Sequence, residues 1–129
     1  MTFSARILES WVMTSSDGTD GHPRKYASYP TKWQTYVREH QVISVEDFLY
    51  RSAGLAAETF GLSDRGRIEP GYSADIVVFD PERFAAVADF SDWNALSNGV
   101  IHLLVNGEVV IEDQTYNGKL AGVVLSGNP

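Results

Sequence analysis

Two short apolar runs separated by Asn106-Gly107 constrain the fold of this chain most strongly. Residues 101–105 and 108–111 are rich in strand-forming residues, and Asn-Gly is the pair that most readily adopts the positive φ angles of a two-residue type I′ turn. The sequence therefore predicts an antiparallel hairpin over residues 101–111. The second half of the chain is expected to be rich in β-structure.

The first part of the chain combines helical and strand patterns around a polar loop. Apolar residues at helical spacing predict a short helix within residues 2–10, and the aromatic and β-branched run at 11–14 predicts a short strand. Residues 15–21 are rich in turn formers, which places a loop at the C-terminal end of that strand. A second helix is predicted over residues 33–39.

A third helix is predicted between two end signals. Ser44 and Asp47 resemble a capping box, in which the Ser44 hydroxyl accepts from the Asp47 N–H and the Asp47 carboxylate reaches back. Gly61 stands where a left-handed C-terminal cap is wanted. The apolar stripe of residues 45–60 includes several small residues, which allow another element to approach this helix closely.

Beyond Gly61 the pattern changes from helical to β. Residues 74–80 form an apolar run of strand length that is predicted to be buried on both faces, and residues 115–125 contain a turn and a possible further strand. The one plausible domain boundary lies between Gly61 and Gly71. We expect an α+β chain in which a helix, a strand and two helices precede a small sheet.

Composition excludes several classes of function. The chain has 129 residues, with 10 Lys and Arg against 17 Asp and Glu, and no Cys. The net charge of −7 argues against nucleic-acid binding, which relies on clustered cations, and the lack of Cys excludes disulfides and thiolate metal ligands. No apolar run is long enough to span a membrane. We therefore expect a soluble, cytoplasmic protein that binds neither nucleic acid nor a membrane.

Asp17 is the most informative candidate for chemistry. It is an acid on a glycine-rich loop directly after a predicted strand, where α/β enzymes place catalytic carboxylates, although an Asp before Gly is also a common turn former. His22 and Arg24 follow on the same loop, either as a solvated turn or as a site where Arg binds a carboxylate. His40 is expected to complement a helix C-terminus, and His102 to lie on a strand face. The histidine spacings match no metal motif.

Four motifs taken together resemble one enzyme family. They are Ser16-Asp17-Gly18, His22-Pro23-Arg24, the stretch 61–80 and Val105-Asn106-Gly107. The stretch 61–80 carries a G-x-x-x-P-G-x-x-A-D pattern that many amidohydrolases share. The S-D-G motif followed by H-P-R narrows the match to D-aminoacylase-like enzymes. From residue 7 to residue 125 the chain resembles the C-terminal part of the D-aminoacylase, or N-acyl-D-amino-acid deacylase, branch of the amidohydrolase superfamily.

The resemblance implies a metal-dependent TIM barrel with a small β-sandwich. Residues 1–62 would then form the end of the barrel, with residues 11–15 on its last strand, and residues 63–129 would form a C-terminal portion of the sandwich. Because a complete barrel needs about 250 residues, the chain would hold only a part of one.

The resemblance also implies roles for two residues. Asp17 matches the family's catalytic aspartate, which deprotonates a zinc-bound water and hands the proton to the leaving amine. Arg24 matches the arginine that grips the α-carboxylate of the substrate. The intact family enzyme uses zinc, but its metal ligands have no counterpart in this chain. We therefore expect the chain alone to bind no catalytic zinc and to hydrolyse nothing.

A part of a barrel is expected to expose apolar residues that the remainder would cover. The expected patch consists of Phe3, Trp11, Trp33, Phe48 and Leu49. Its cover would be a companion chain that carries the rest of the barrel, or a second copy of this chain. The alternative is a non-catalytic, truncated α+β domain that acts only as an oligomerising structural unit. The sequence leaves both possibilities open.

Overall fold

The computed structural model describes residues 9–126 as helices followed by a sheet. The helices are α1 (Arg24–Lys32), which continues into a π-helical segment (Trp33–Glu39), α2 (Val45–Ser52) and α3 (Gly54–Thr59). The strands are β1 (Ile76–Phe79), β2 (Val100–Val105), β3 (Glu108–Glu112) and β4 (Thr115–Tyr116). They form one antiparallel sheet in the order β1-β2-β3-β4. The predicted α+β class is confirmed.

The strand predicted at residues 11–14 is wrong, because no strand precedes β1 within residues 9–126. The backbone of this segment bonds to helical residues instead. The Thr14 N–H donates to the Arg51 carbonyl at 3.3 Å, and the Tyr29 hydroxyl donates to the Thr14 carbonyl at 3.2 Å. A strand needs a neighbouring strand to pair with, and helical residues occupy that position here. The helix predicted within residues 2–10 falls largely outside the described residues.

The second helix begins at Arg24 rather than at residue 33. Pro30 lies inside it and cannot donate to the Tyr26 carbonyl one turn earlier, which is why proline normally ends a helix. In this fold the Ser97 hydroxyl donates to the Tyr26 carbonyl at 2.7 Å, so the acceptor is satisfied despite the proline. The sequence did not predict this helical segment, because the hydroxyl that compensates for the proline belongs to Ser97, which is distant in the chain.

The third predicted helix is two helices in the structure. Ser44 caps α2 as predicted, since its hydroxyl accepts from the Asp47 N–H at 3.0 Å. The Asp47 carboxylate lies 3.7 Å from Arg51 Nη2, one turn along the helix. The chain then breaks at Ala53, whose φ of −134° and ψ of −71° are not helical, and α3 begins at the next residue.

The end of α3 depends on close packing of backbone segments. Gly61 has a φ of 65°, and the Leu62 N–H donates to the Ala57 carbonyl at 2.8 Å, which confirms the predicted left-handed cap. Gly66 has a φ of 81°, and a Cβ there would lie 2.5 Å from the Ala57 Cβ. The small residues of this region therefore admit a neighbouring segment, as the sequence predicted.

Helices and sheet share one core, which is built around Trp33. The buried members are Trp33, Val37, Ile43, Phe48 and Phe84, with Phe79 and Val100 packed against them. The Trp33 ring meets the rings of Phe48 and Phe79 edge to face, with centroids 5.1 and 5.3 Å apart. Its Nε1–H donates to the Pro81 carbonyl at 2.9 Å. Segments 1–62 and 63–129 both contribute to this core.

The expected exposed patch is only partly present. Trp33 and Phe48 are 3% and 4% exposed, so the prediction that they form part of an exposed patch is wrong. The reason is that Phe79 and Phe84, from the β half of the chain, pack against Trp33. Trp11 and Leu49 are exposed, as predicted.

Strand β1 differs from its prediction in burial. Val77 and Val78 are 49% and 43% exposed, so the prediction that this strand is buried on both faces is wrong. β1 is an edge strand of the sheet, and its only partner strand within the described part of the chain is β2. An edge strand without a covering layer keeps part of its apolar surface in water.

The predicted hairpin is confirmed. Asn106 and Gly107 have φ angles of 51° and 81°, and Val105 pairs with Glu108 across the turn. A second two-residue turn of the same kind joins β3 to β4 through Asp113 and Gln114, with φ angles of 46° and 67°. The further strand expected in residues 115–125 is therefore present, although it is short.

No helix within residues 9–126 is long and apolar enough to cross a membrane.

Replacement of Gly107 by Val should destabilise the protein by about 1 kcal/mol or more, because a β-branched residue resists the positive φ that the turn requires. Urea unfolding of both proteins measures the change. Gly122→Val is the matched control, since Gly122 has no positive φ and nothing lies within 4 Å of its Cβ position. Equal midpoints for Gly107→Val and the parent would contradict the assigned turn.

Candidate active site

The structure brings the two predicted site residues together. Arg24 is the first residue of α1, and its Nη2 lies 3.0 Å from Asp17 Oδ2. Its Nε also donates to the Asp17 carbonyl at 2.8 Å, so the guanidinium bridges the backbone and the side chain of one residue. Thr19 Oγ1 accepts a longer bond of 3.4 Å from the same guanidinium. The loop between residues 17 and 24 is thereby folded back onto the start of α1.

Local bonds hold Asp17 and Arg24 in place. Asp17 adopts a φ of 45°, and its N–H donates to Ser15 Oγ at 3.3 Å. The Arg24 N–H donates to His22 Nδ1 at 3.1 Å, which satisfies a backbone donor at the beginning of α1. The His22 ring packs edge to face on Phe90 at 5.2 Å. Sequence reasoning assigned no role to His22, and the structure shows it positioning the helix N-terminus.

The Asp17–Arg24 ion pair is open to solvent. The side chains are 77% and 39% exposed, respectively. Ion pairs with this exposure stabilise a fold very little, because water screens the attraction. Either partner can therefore exchange the other for a ligand group at small cost.

A cavity of about 470 Å³ lies next to the pair. Its walls are residues 13–15 on one side and residues 22–36 of the loop and helix on the other, including Arg24, Ser28 and Lys32. These three residues are spaced four apart, so they lie along one face of α1. The cavity is of a size that small-molecule ligands occupy.

Lys32 is an unusual wall residue because it is buried. It is 7% exposed, its Nζ donates to Thr14 Oγ1, and it lies 5.8 Å from the centre of the Phe48 ring. Burial and the nearby Arg51 cation lower the pKa of Lys32 from its ordinary value of 10.5 to about 8. The sequence did not indicate Lys32 as a site residue. A lysine next to a threonine is normally expected in solvent, and the helix that begins at Arg24 and carries Lys32 into the core was not predicted.

The other two histidines occupy the places that the sequence predicted. His40 ends the π-helical segment, and its N–H donates to the Thr35 carbonyl at 3.0 Å. His102 lies on β2, with its Nε2 3.7 Å from Asp113 Oδ1. Within residues 9–126, no three His, Cys, Asp or Glu side chains come together as a possible metal site.

The sequence matches a known family over most of its length. Residues 8–111 fit the sequence pattern of the amidohydrolase family. The chain belongs to the amidohydrolase family. A curated relative, the D-aminoacylase of Alcaligenes xylosoxydans xylosoxydans, is 36% identical over 119 residues, which cover 89% of this chain and 25% of that protein.

Solved structures agree with this membership of the amidohydrolase family. A crystal structure of D-aminoacylase superposes with a TM-score of 0.81 at 38% identity, covering 88% of this chain and 25% of that one. The N-acyl-D-glutamate deacylase of Bordetella bronchiseptica, solved with zinc and a phosphonate inhibitor, gives a TM-score of 0.76 at 35% identity, covering 81% and 23%. The resemblance to D-aminoacylases is confirmed, and this amidohydrolase chain spans about a quarter of those relatives.

The burial of Lys32 predicts a distinct dependence of stability on pH. Because its pKa falls from 10.5 to about 8 on folding, the folded state loses this proton first and the unfolded state binds more protons between those values. Stability should therefore rise from pH 8 to pH 10.5, by at most about 3 kcal/mol. The difference between parent and Lys32→Met unfolding free energies across this range measures the effect. It also removes the contribution of Tyr29, whose buried hydroxyl has a raised pKa.

Lys25→Met is the matched control on the same helix. Lys25 pairs with Asp20 at 3.1 Å, and this hydrogen bond raises the pKa of Lys25. Because the raised pKa of Lys25 acts in the opposite direction, its removal should not reduce the alkaline gain. If the unfolding free energies of the parent and of Lys32→Met change with pH in parallel, the folded state does not lower the pKa of Lys32.

Proposed function

We propose that the chain forms the C-terminal part of a zinc-dependent N-acyl-D-amino-acid deacylase, which hydrolyses N-acyl-D-amino acids to a D-amino acid and a carboxylate. The observation that most directly supports this proposal is the 3.0 Å pairing of Asp17 with Arg24 beside a cavity, in a chain that belongs to the amidohydrolase family. These are the two residues that the S-D-G and H-P-R motifs single out. Their proximity supports a shared site.

Asp17 is proposed as the proton carrier of the reaction. Amide hydrolysis adds water to the carbonyl carbon and breaks the C–N bond, so a proton must leave the attacking water and the amine nitrogen must gain one. The Asp17 carboxylate accepts the first at Oδ and returns it to the leaving nitrogen. Its 77% exposure keeps the carboxylate accessible to a bound substrate and water.

Arg24 is proposed as a binding residue for the substrate carboxylate. Its planar guanidinium presents parallel donors that match a carboxylate, and one of them, Nη2, already lies 3.0 Å from the Asp17 carboxylate. Because that pair is exposed and weak, a substrate carboxylate can replace Asp17 on Arg24. Binding would then release Asp17 for proton transfer.

The described residues do not fit a zinc ion by themselves. They offer no cluster of three possible ligands, whereas a zinc complex is known for the N-acyl-D-glutamate deacylase of Bordetella bronchiseptica. We propose that the zinc of the intact enzyme is held by protein outside residues 9–126, and that this chain alone is metal-free and inactive. In this proposal residues 1–62 end the barrel and residues 63–129 belong to the sandwich.

A chimera tests the role of Asp17. The corresponding C-terminal quarter of the Alcaligenes D-aminoacylase is replaced by this chain, and hydrolysis of N-acetyl-D-methionine is measured with added zinc. We expect the chimera to be active, and Asp17→Asn to lower kcat about 100-fold or more, because the amide cannot accept the proton. Arg24→Gln should mainly raise KM.

Asp20→Asn is the control for that experiment, since Asp20 is a carboxylate of the same loop that pairs with Lys25. It should retain activity. Circular dichroism confirms that each variant is folded. Full activity of Asp17→Asn would remove this residue from the mechanism, and an inactive but folded chimera would refute the proposed correspondence.

The exposed apolar residues support a second proposal, association with another chain. Trp11 is 64% exposed and Leu49 47%, and apolar side chains of this size are commonly covered by a partner. We propose a second copy of this chain, or a companion carrying the rest of the barrel. Light scattering on the purified chain should give a dimer or larger species, which Leu49→Ser weakens and the exposed control Leu120→Ser does not. A monomer at high concentration would exclude self-association.

A further inference from the structure

Lys32 is a buried cation to which the described chain offers no carboxylate partner. It is 7% exposed, its polar contact is the neutral hydroxyl of Thr14, and the charged group that acts on it is another cation, Arg51. A buried ammonium is costly unless an anion compensates it. The fold nevertheless places this cation on the wall of an open cavity rather than against an acid.

The walls of the cavity have a positive bias. Arg24 and Lys32 both line it, and no Asp or Glu is among its described wall residues. Arg51 acts on Lys32 as a second nearby cation, and the Asp47 carboxylate lies 3.7 Å from its guanidinium. A cavity with this lining attracts an anion and repels a cation.

The two cations are not equivalent. Arg24 already pairs with Asp17, whereas Lys32 pairs with no acid among residues 9–126. The separation of eight positions corresponds to about 12 Å along α1, so the two cations mark separate ends of the cavity. An anion that enters the cavity therefore binds most favourably beside Lys32, because the charge of Arg24 is already compensated.

We propose that Lys32 binds a carboxylate group of a small ligand in this cavity, with the Thr14 hydroxyl beside it. The binding site stands on the cavity and its charges alone; only the assignment of the ligand as an N-acyl-D-amino acid rests on the proposed function. In that case the ligand is an N-acyl-D-amino acid with an acidic side chain, whose α-carboxylate binds Arg24 and whose side-chain carboxylate binds Lys32. Lys32 is then a substrate-binding residue that neither motif contains.

The test uses the complete chain and follows the Lys32 side chain by NMR. Addition of acetate should shift the Lys32 Cε signal saturably and raise the pKa of Lys32, because a bound carboxylate favours the ammonium form. Lys32→Gln should weaken acetate binding at least tenfold, measured by calorimetry. Lys25→Gln, which removes a lysine on the same helix that is paired with Asp20, should bind as the parent does.

Two further ligands separate this inference from the proposed function. N-acetyl-D-glutamate that competes with acetate at Lys32 supports both. Acetate binding without competition by N-acetyl-D-glutamate keeps the carboxylate site but contradicts the assignment of the ligand. Inorganic phosphate that binds tenfold more tightly than acetate overturns the carboxylate class. Equal acetate binding by the parent and Lys32→Gln, with both proteins folded by circular dichroism, overturns the site itself.

Discussion

The burial of Trp33 is the interaction on which the rest of the structure depends. Its indole lies between Phe48 of α2 and Phe79 of β1, and its N–H bonds to the carbonyl of Pro81 directly after β1. One side chain thereby joins the helical half to the sheet. Lys32 directly precedes Trp33 in the chain, and its Nζ lies 5.8 Å from the centre of the same Phe48 ring, so the packing around Trp33 also contributes to the burial of Lys32.

The charges of the candidate site follow from this arrangement. The loop that carries Asp17 folds back onto the start of α1 through Arg24, while the far end of the helix runs into the core. The helix therefore has a solvated cation at one end and a buried one at the other. The exposed Asp17–Arg24 ion pair is easily exchanged for contacts with a ligand. The buried ammonium of Lys32, in contrast, is energetically costly without a counter-charge. In the proposed site, ligand exchange at Arg24 and ligand retention at Lys32 are thus separated along a single helix.

Features with a local physical cause could be predicted from the sequence. The Asn106-Gly107 turn, the Ser44 cap and the Gly61 cap each depend on residues a few positions apart, and all three are present. The pairing of Asp17 with Arg24 also lies within a short loop. Features that depend on distant partners could not be predicted. The segment at 11–14 forms no strand because helical residues take its backbone bonds, and Lys32 is buried against Thr14 and Phe48, which are distant from it in the sequence.

The hydroxyl that allows Pro30 to remain inside α1 links two distant parts of the chain. With proline at position 30, loss of the Ser97 hydroxyl would leave the Tyr26 carbonyl without its partner; with alanine there, the helix could supply the missing N–H itself. The effect of changing Ser97 therefore depends on the residue at position 30, and the two substitutions are not additive. In evolution, substitutions at these two positions are therefore tolerated in one order only. Pro30 must be replaced first, because the Ser97 hydroxyl is needed as long as the proline is present.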